Sequence, residues 1–134
     1  MQPPAVIYSQ NNLRPLRDLV AQLPRLPVDG RWNIDFQAAD PALLATIAAD
    51  AEATMAVIQS GLGAIGHLLA HSAVVIEDGT VGADSLESLG FLMAELGDLA
   101  AACMVLGAHC RQFQLHLTHH GERRAPSARS PKRL

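Results

Sequence analysis

The sequence predicts an all-α protein. Its expected architecture is a long antiparallel helical hairpin that dimerises into a four-helix bundle, with an irregular N-terminal segment and a disordered basic tail. Three observations predict this. Apolar residues recur at alternating intervals of three and four across residues 84–120: Leu89, Leu92, Leu96, Leu99, Cys103, Leu106, Cys110, Phe113 and Leu117. That is the signature of a helix presenting one continuous seam. A second run of the same kind precedes it: Leu44, Ile47, Ala51, Met55, Ile58, Leu62, Ile65, Leu69 and Ala73. Finally, hydrophobic residues make up 49% of the chain but aromatics only 4%. Ala and Leu supply the difference, which favours helices over sheets.

The elements divide into an N-terminal arm (1–39), the hairpin (40–121) and the tail (122–134). Residues 1–12 are rich in Pro, Gln and Asn and read as irregular. Pro15–Leu23 makes two helical turns, with Pro15 near its first position, Leu16, Leu19, Val20 and Leu23 on one face, and Pro24 and Pro27 as the stop. Asp29-Gly30 reads as a turn. Trp32, Ile34 and Phe36 alternate with polar residues in a strand-like pattern too short for a sheet. Trp32 or Phe36 is expected to anchor this arm across the helical body.

Asp40 and Pro41 form a helix start, with Asp as N-cap and Pro at the first helical position. The helix is expected to run to Ala73. Gly61, Gly63 and Gly66 interrupt it, each at a cost of about 1 kcal/mol relative to Ala. Either they break the helix or they let another backbone approach closely. Val74–Ala83 reads as the connection, with a short extended piece. Asp84 and Glu87 form an acidic cap for the second helix, and Gly121 ends it. The seam of that helix spans about 50 Å. A hairpin alone leaves Met93, Ala100, Met104 and Val105 of one helix, and Leu43, Ala48, Val57 and Leu68 of the other, without cover. A second hairpin would bury them; the competing arrangement is a monomer closed by the arm. Met93, Leu96, Leu99, Cys103, Met104 and Leu106 are the expected dimer or partner surface.

Charge is partitioned. From Trp32 to Cys110 there are ten acids and no Lys or Arg, whereas residues 111–134 carry five Arg and one Lys against Glu122 alone. Phosphoryl transfer and anionic substrates need a cation to hold the anion, so this body suits them poorly. The basic tail offers nucleic acid weak, non-specific contacts at best. No uninterrupted apolar run reaches 18 residues, so no membrane span is expected, and the opening Gln2-Pro3-Pro4 is not a secretory signal. Cys103 and Cys110 lie seven apart on one helix, about 10 Å along its axis, too far to bridge. Free thiols facing a seam fit a reducing cytoplasm.

Three constellations bear on chemistry. Gly61-Leu62-Gly63-Ala64-Ile65-Gly66 matches the dinucleotide fingerprint, but Glu77 follows Gly61 by only 16 residues and no further strands come after it. Close helix contact is the better account of these glycines. His67 and His71 have the spacing of a two-His metal pair, with Glu87 as a neighbour across the hairpin. His109, His116, His119 and His120 crowd the end of the second helix near the cysteines, without the CxxC spacing of a zinc site. His67, His71, His116 and His120 are thus weak metal candidates, and no cofactor is expected.

These observations predict a non-enzymatic helical interaction or regulatory protein acting in the cytoplasm through protein–protein contacts, as a homodimer with an unidentified protein partner. One alternative is an acidic immunity-type or nucleic-acid-mimic protein that neutralises a basic partner. Another is a helical bundle binding a metal or cofactor in its interior.

Overall fold

The structure is a computed structural model in which residues 14–124 are described. The expected irregular start and the tail beyond 124 lie outside them, as does the side chain of His120. Four helices follow in order: α1 (Pro15–Gln22), α2 (Pro41–His71), α3 (Ala73–Glu77) and α4 (Ala83–Arg124), with a 3₁₀ turn at Leu23–Arg25 closing α1. There is no strand among the described residues. The alternation around Trp32 yields only an isolated antiparallel bridge between Val28 and Ile34.

The two long helices form the antiparallel hairpin, and α1 packs on α2. α2 starts as its residues dictate. Asp40 caps it by accepting a hydrogen bond from the Ala42 N–H at 3.1 Å, and Pro41 occupies the first turn. It ends two residues before the expected Ala73. The Ser72 hydroxyl donates to the Leu68 carbonyl at 2.7 Å and the backbone at Ser72 leaves the helical region, a local competitor to the helical ladder. The piece expected to be extended is instead the short helix α3. At the start of α4 the Ser85 and Leu86 N–H groups close on the Gly82 carbonyl, while Asp84 and Glu87 stand exposed. Gly121 does not end α4, which continues to Arg124; a single glycine costs a helix too little to stop it.

Burial divides the hairpin in two. In its first half α2 is covered by both α1 and α4, and Leu43, Leu44, Ile47, Ala48, Asp50, Ala51 and Thr54 are all buried. No later residue of α2 is. The matching stretch of α4 buries Ala100, Cys103, Gly107 and Cys110. We call this half the base and the half around α3 the distal end. Of the surplus apolar face, Leu43 and Ala48 are buried in the base, whereas Val57 and Leu68 are exposed.

The seam of α4 follows the sequence with one deviation. The residues read from the sequence repeat every seven, whereas a straight helix drifts by about 20° per heptad against that repeat. That drift does not account for Leu92, which stays within about 20° of the buried Cys103 on a straight helix and is 52% exposed because the hairpin is poorly covered at that end. Beside the seam, Ala100 and Gly107 are buried and Met93 is half-buried. Gly107 is where the backbones approach: a Cβ there would lie 3.7 Å from Glu52 Cγ, 3.8 Å from the Ala48 carbonyl oxygen and 3.8 Å from Ala51 Cβ. Gly61, Gly63 and Gly66 neither break α2 nor meet another backbone, since a Cβ at any of them would find nothing within 4 Å. The close contact expected of those three belongs to Gly107.

α2 and α4 are also long and apolar enough, by length and composition, to cross a membrane. The expectation of no span counted uninterrupted apolar runs, which Gln59, Ser60 and the histidines break; averaged along each helix, those polar residues are outweighed.

Candidate interaction surface

The arm reaches α4 through a tight turn. Asp29 organises it: its carboxylate accepts from the Arg31 N–H at 2.8 Å and the Asn33 N–H at 2.9 Å, which hold it below its ordinary value of 3.8. The Trp32 N–H donates to the Asp29 carbonyl at 3.0 Å. Within this turn Trp32 takes φ +64°, a left-handed conformation unfavourable for a bulky L-residue. Its side chain is 87% exposed, so packing does not compensate. Of the two expected anchors, Phe36 is the one used. Its ring stacks on Phe113 with centroids 5.3 Å apart and meets His109 edge-on at 6.0 Å.

Phe36 thereby borders an apolar concavity of about 650 Å³ against α4. Its other walls include Ile34, Ala101, Ala102, Val105 and Leu106, with His109 at one end. A second concavity, of about 520 Å³, lies further along α4 and is lined by Gln37, Gln112, Phe113, His116 and Leu117. The apolar groove continues into a solvent-facing stripe. Asp84, Glu87, Phe91, Glu95, Asp98, Ala102 and Val105 follow one another at helical spacing and every one is exposed, Phe91 by 66% and Val105 by 52%. At 100° per residue this stripe lies roughly 100° round α4 from the seam, on one flank, and Met104 lies on the other.

Two polar links tie the base together. Arg111 forms a two-pronged ion pair with Glu52, Nε to Oε1 at 2.9 Å and a second nitrogen to Oε2 at 3.0 Å. This hydrogen bond to Arg111 lowers Glu52 below its ordinary 4.5. Gln22 of α1 donates from Nε2 to the buried Asp50 at 2.7 Å. Asp50 and Glu52 therefore brace the fold and do not add to an acidic surface; their partners lie 28 and 59 residues away, beyond the reach of local patterns.

The sequence-predicted sites fare unevenly. Leu96, Leu99 and Leu106 are half-buried and Cys103 is buried, all within the chain's own core or seam; Met93 is half-buried and Met104 is 57% exposed. His67, His71 and His116 are exposed. Among the described residues no group of three or more His, Cys, Asp or Glu converges as a metal site. Cys103 and Cys110 are free and buried, and burial pushes both thiols above the ordinary 9.0, the reverse of what a reactive thiolate needs. The groove residues Ile34, Ala101 and Ala102 escaped the sequence reading, because nothing local says that the arm folds onto that face of α4.

Fold and surface together define an α-helical hairpin braced at one end by an N-terminal arm. Comparison with known protein families, with curated proteins and with solved structures finds no match.

Proposed function

We propose that this chain is a non-enzymatic helical interaction protein that acts in the cytoplasm through protein–protein contacts, and that it does so as a homodimer whose distal hairpins pair into a four-helix bundle. The observation that carries the reading is the uncovered distal half. Val57, Leu68, Val74, Val75, Phe91 and Leu92 there are all large, apolar and more than two-fifths exposed, and Met104 and Val105 are exposed further along α4. So many large apolar side chains left in solvent mark an interaction face. A second copy on the Met104 flank would complete the bundle and leave the Phe91 stripe open to a further protein.

A bilayer is the competing apolar environment, and two features weigh against it. Glu95 and Asp98 are exposed in the interior of α4, and an acid at the bilayer centre costs about 2.5–3.5 kcal/mol. The most apolar window of α2 is already 44% buried inside the protein. The test is light scattering on the full chain together with fractionation of native cells. A mass twice the 14.2 kDa of one chain, in the soluble fraction, is the expected result. A single-chain mass overturns the dimer, and recovery in the membrane pellet overturns the cytoplasmic assignment.

A further inference from the structure

We propose that the groove under the arm, together with the Phe91 stripe, is the docking site for a cationic amphipathic helix of a partner protein. The inference rests on the interaction reading above and adds the partner's chemistry. Apolar geometry comes first. Phe91 and Val105 stand exposed on one line of α4, and that line runs into the groove formed by Ile34, Phe36, Ala101, Ala102 and Leu106. From Asp84 to Val105 the line is about 32 Å long, the length of a helix of about 20 residues. Its exposed positions recur every three or four residues, so they match side chains at helical spacing on a partner.

Charge then selects the occupant. Glu87 and Glu95 sit one turn on either side of Phe91, with Asp84 and Asp98 beyond them. No Lys or Arg occurs anywhere between Trp32 and Cys110 to neutralise them. A helix with apolar residues for Phe91 and the groove, flanked by Lys or Arg, satisfies both features at once. Phosphate-rich nucleic acid and anionic lipid carry the wrong sign. The α4 of a second copy carries the same acids and would repel.

Trp32 immediately precedes the groove-wall residues Asn33 and Ile34 in the chain. It holds a left-handed backbone conformation and almost full exposure. Strain kept at an exposed aromatic with no packing to maintain it is the mark of a contact residue.

Trp32 is the single tryptophan in the chain, so its fluorescence reports on the segment that forms the groove wall. The probe is a synthetic helix of about 20 residues built from Leu and Lys at helical spacing, with a Leu/Glu version as control. Titrated into the full chain, the Lys peptide is expected to shift Trp32 emission to the blue. Its affinity should fall at least tenfold between low and high salt, as charge-steered binding does. Phe91→Ala and the charge reversal Glu95→Lys/Asp98→Lys should each weaken it at least tenfold while helix content by circular dichroism stays unchanged, and the reversed protein should gain affinity for the Glu peptide. Failure of the wild-type chain to shift, or equal binding by the wild-type and the variants, overturns the site. Light scattering on the same samples separates the two readings: a dimer that ignores the Lys peptide refutes this proposal alone, and a monomer that binds it refutes the dimer alone.

Discussion

Replacing Gly61, Gly63 and Gly66 of α2 with alanine should stabilise the protein. All three lie inside an unbroken helix, and each costs about 1 kcal/mol relative to alanine through the backbone freedom it loses on folding. That gain is realised only where a methyl group fits. A Cβ at each position meets nothing within 4 Å, so no steric cost offsets it. Sites this close along one helix but without shared contacts add approximately, giving about 3 kcal/mol for the triple variant. With a urea m-value of about 1.5 kcal/mol/M, the unfolding midpoint should move up by about 2 M. Two further substitutions calibrate the measurement. Gly107→Ala should also gain, by about 0.5–1 kcal/mol, because its Cβ lands at ordinary contact distances of 3.7–3.8 Å. Gly79→Ala should lose about 1 kcal/mol, because Gly79 holds φ +80° and alanine is strained there. Urea melts followed by circular dichroism read all of these. A triple variant less stable than the wild type would refute the reasoning, since it would mean that another backbone fills the space left open beside α2.

Other substitutions test the division between base and distal end. Ile47→Ala, at a fully buried base position, should cost about 3–4 kcal/mol, whereas Ile65→Ala, half-buried on the same helical face, should cost about 1–2 kcal/mol; equal losses in urea melts would argue against the gradient. The thiols of Cys103 and Cys110 should react with a thiol reagent at pH 8 about a hundredfold slower than in the unfolded chain, because each is buried and its thiolate disfavoured; fast native labelling would show that the seam opens readily. Arg111→Ala should cost about 0.5–1 kcal/mol, the scale of a well-formed but half-exposed pair. Glu52 has a lower value folded than unfolded, so its contribution is complete above about pH 4.5 and fades as the pH drops below that; the difference between wild type and Arg111→Ala should therefore shrink in acid melts, and a constant difference would refute the pairing.

How much of this was legible depended on the range over which each feature is specified. The start of α2 is written in two adjacent residues, Asp40 and Pro41, and the helix periods in side chains three and four apart; these were readable. How well a seam position is covered depends on what packs there, so Leu92 lies on the apolar period yet is 52% exposed. The glycine-rich run was legible as glycine but not as contact. Whether a backbone lies against Gly61 or Gly107 depends on the register between α2 and α4, which no local pattern encodes. The arm was the least legible part. Phe36 and Trp32 are equally good anchors as amino acids. What separates them is the turn set by Asp29, which turns Trp32 out to solvent while Phe36 stacks on Phe113, a residue 77 positions away. The groove follows from that choice, and so could not be foreseen without it.

The same geometry accounts for why the acids lie where they do. Thr54 is the last buried residue of α2. Beyond it two helices alone cannot bury both of their apolar faces, so the distal half exposes six large apolar side chains, Val57, Leu68, Val74, Val75, Phe91 and Leu92. Glu77, Asp78, Asp84, Glu87, Glu95 and Asp98 all fall in that uncovered half, where like charge keeps copies from associating indiscriminately. A basic residue would serve solubility equally well, yet none occurs there. Acids of one sign beside exposed apolar side chains are therefore the feature on which the proposed docking of a cationic helix rests, and charge reversal at Glu95 and Asp98 is the substitution that tests it.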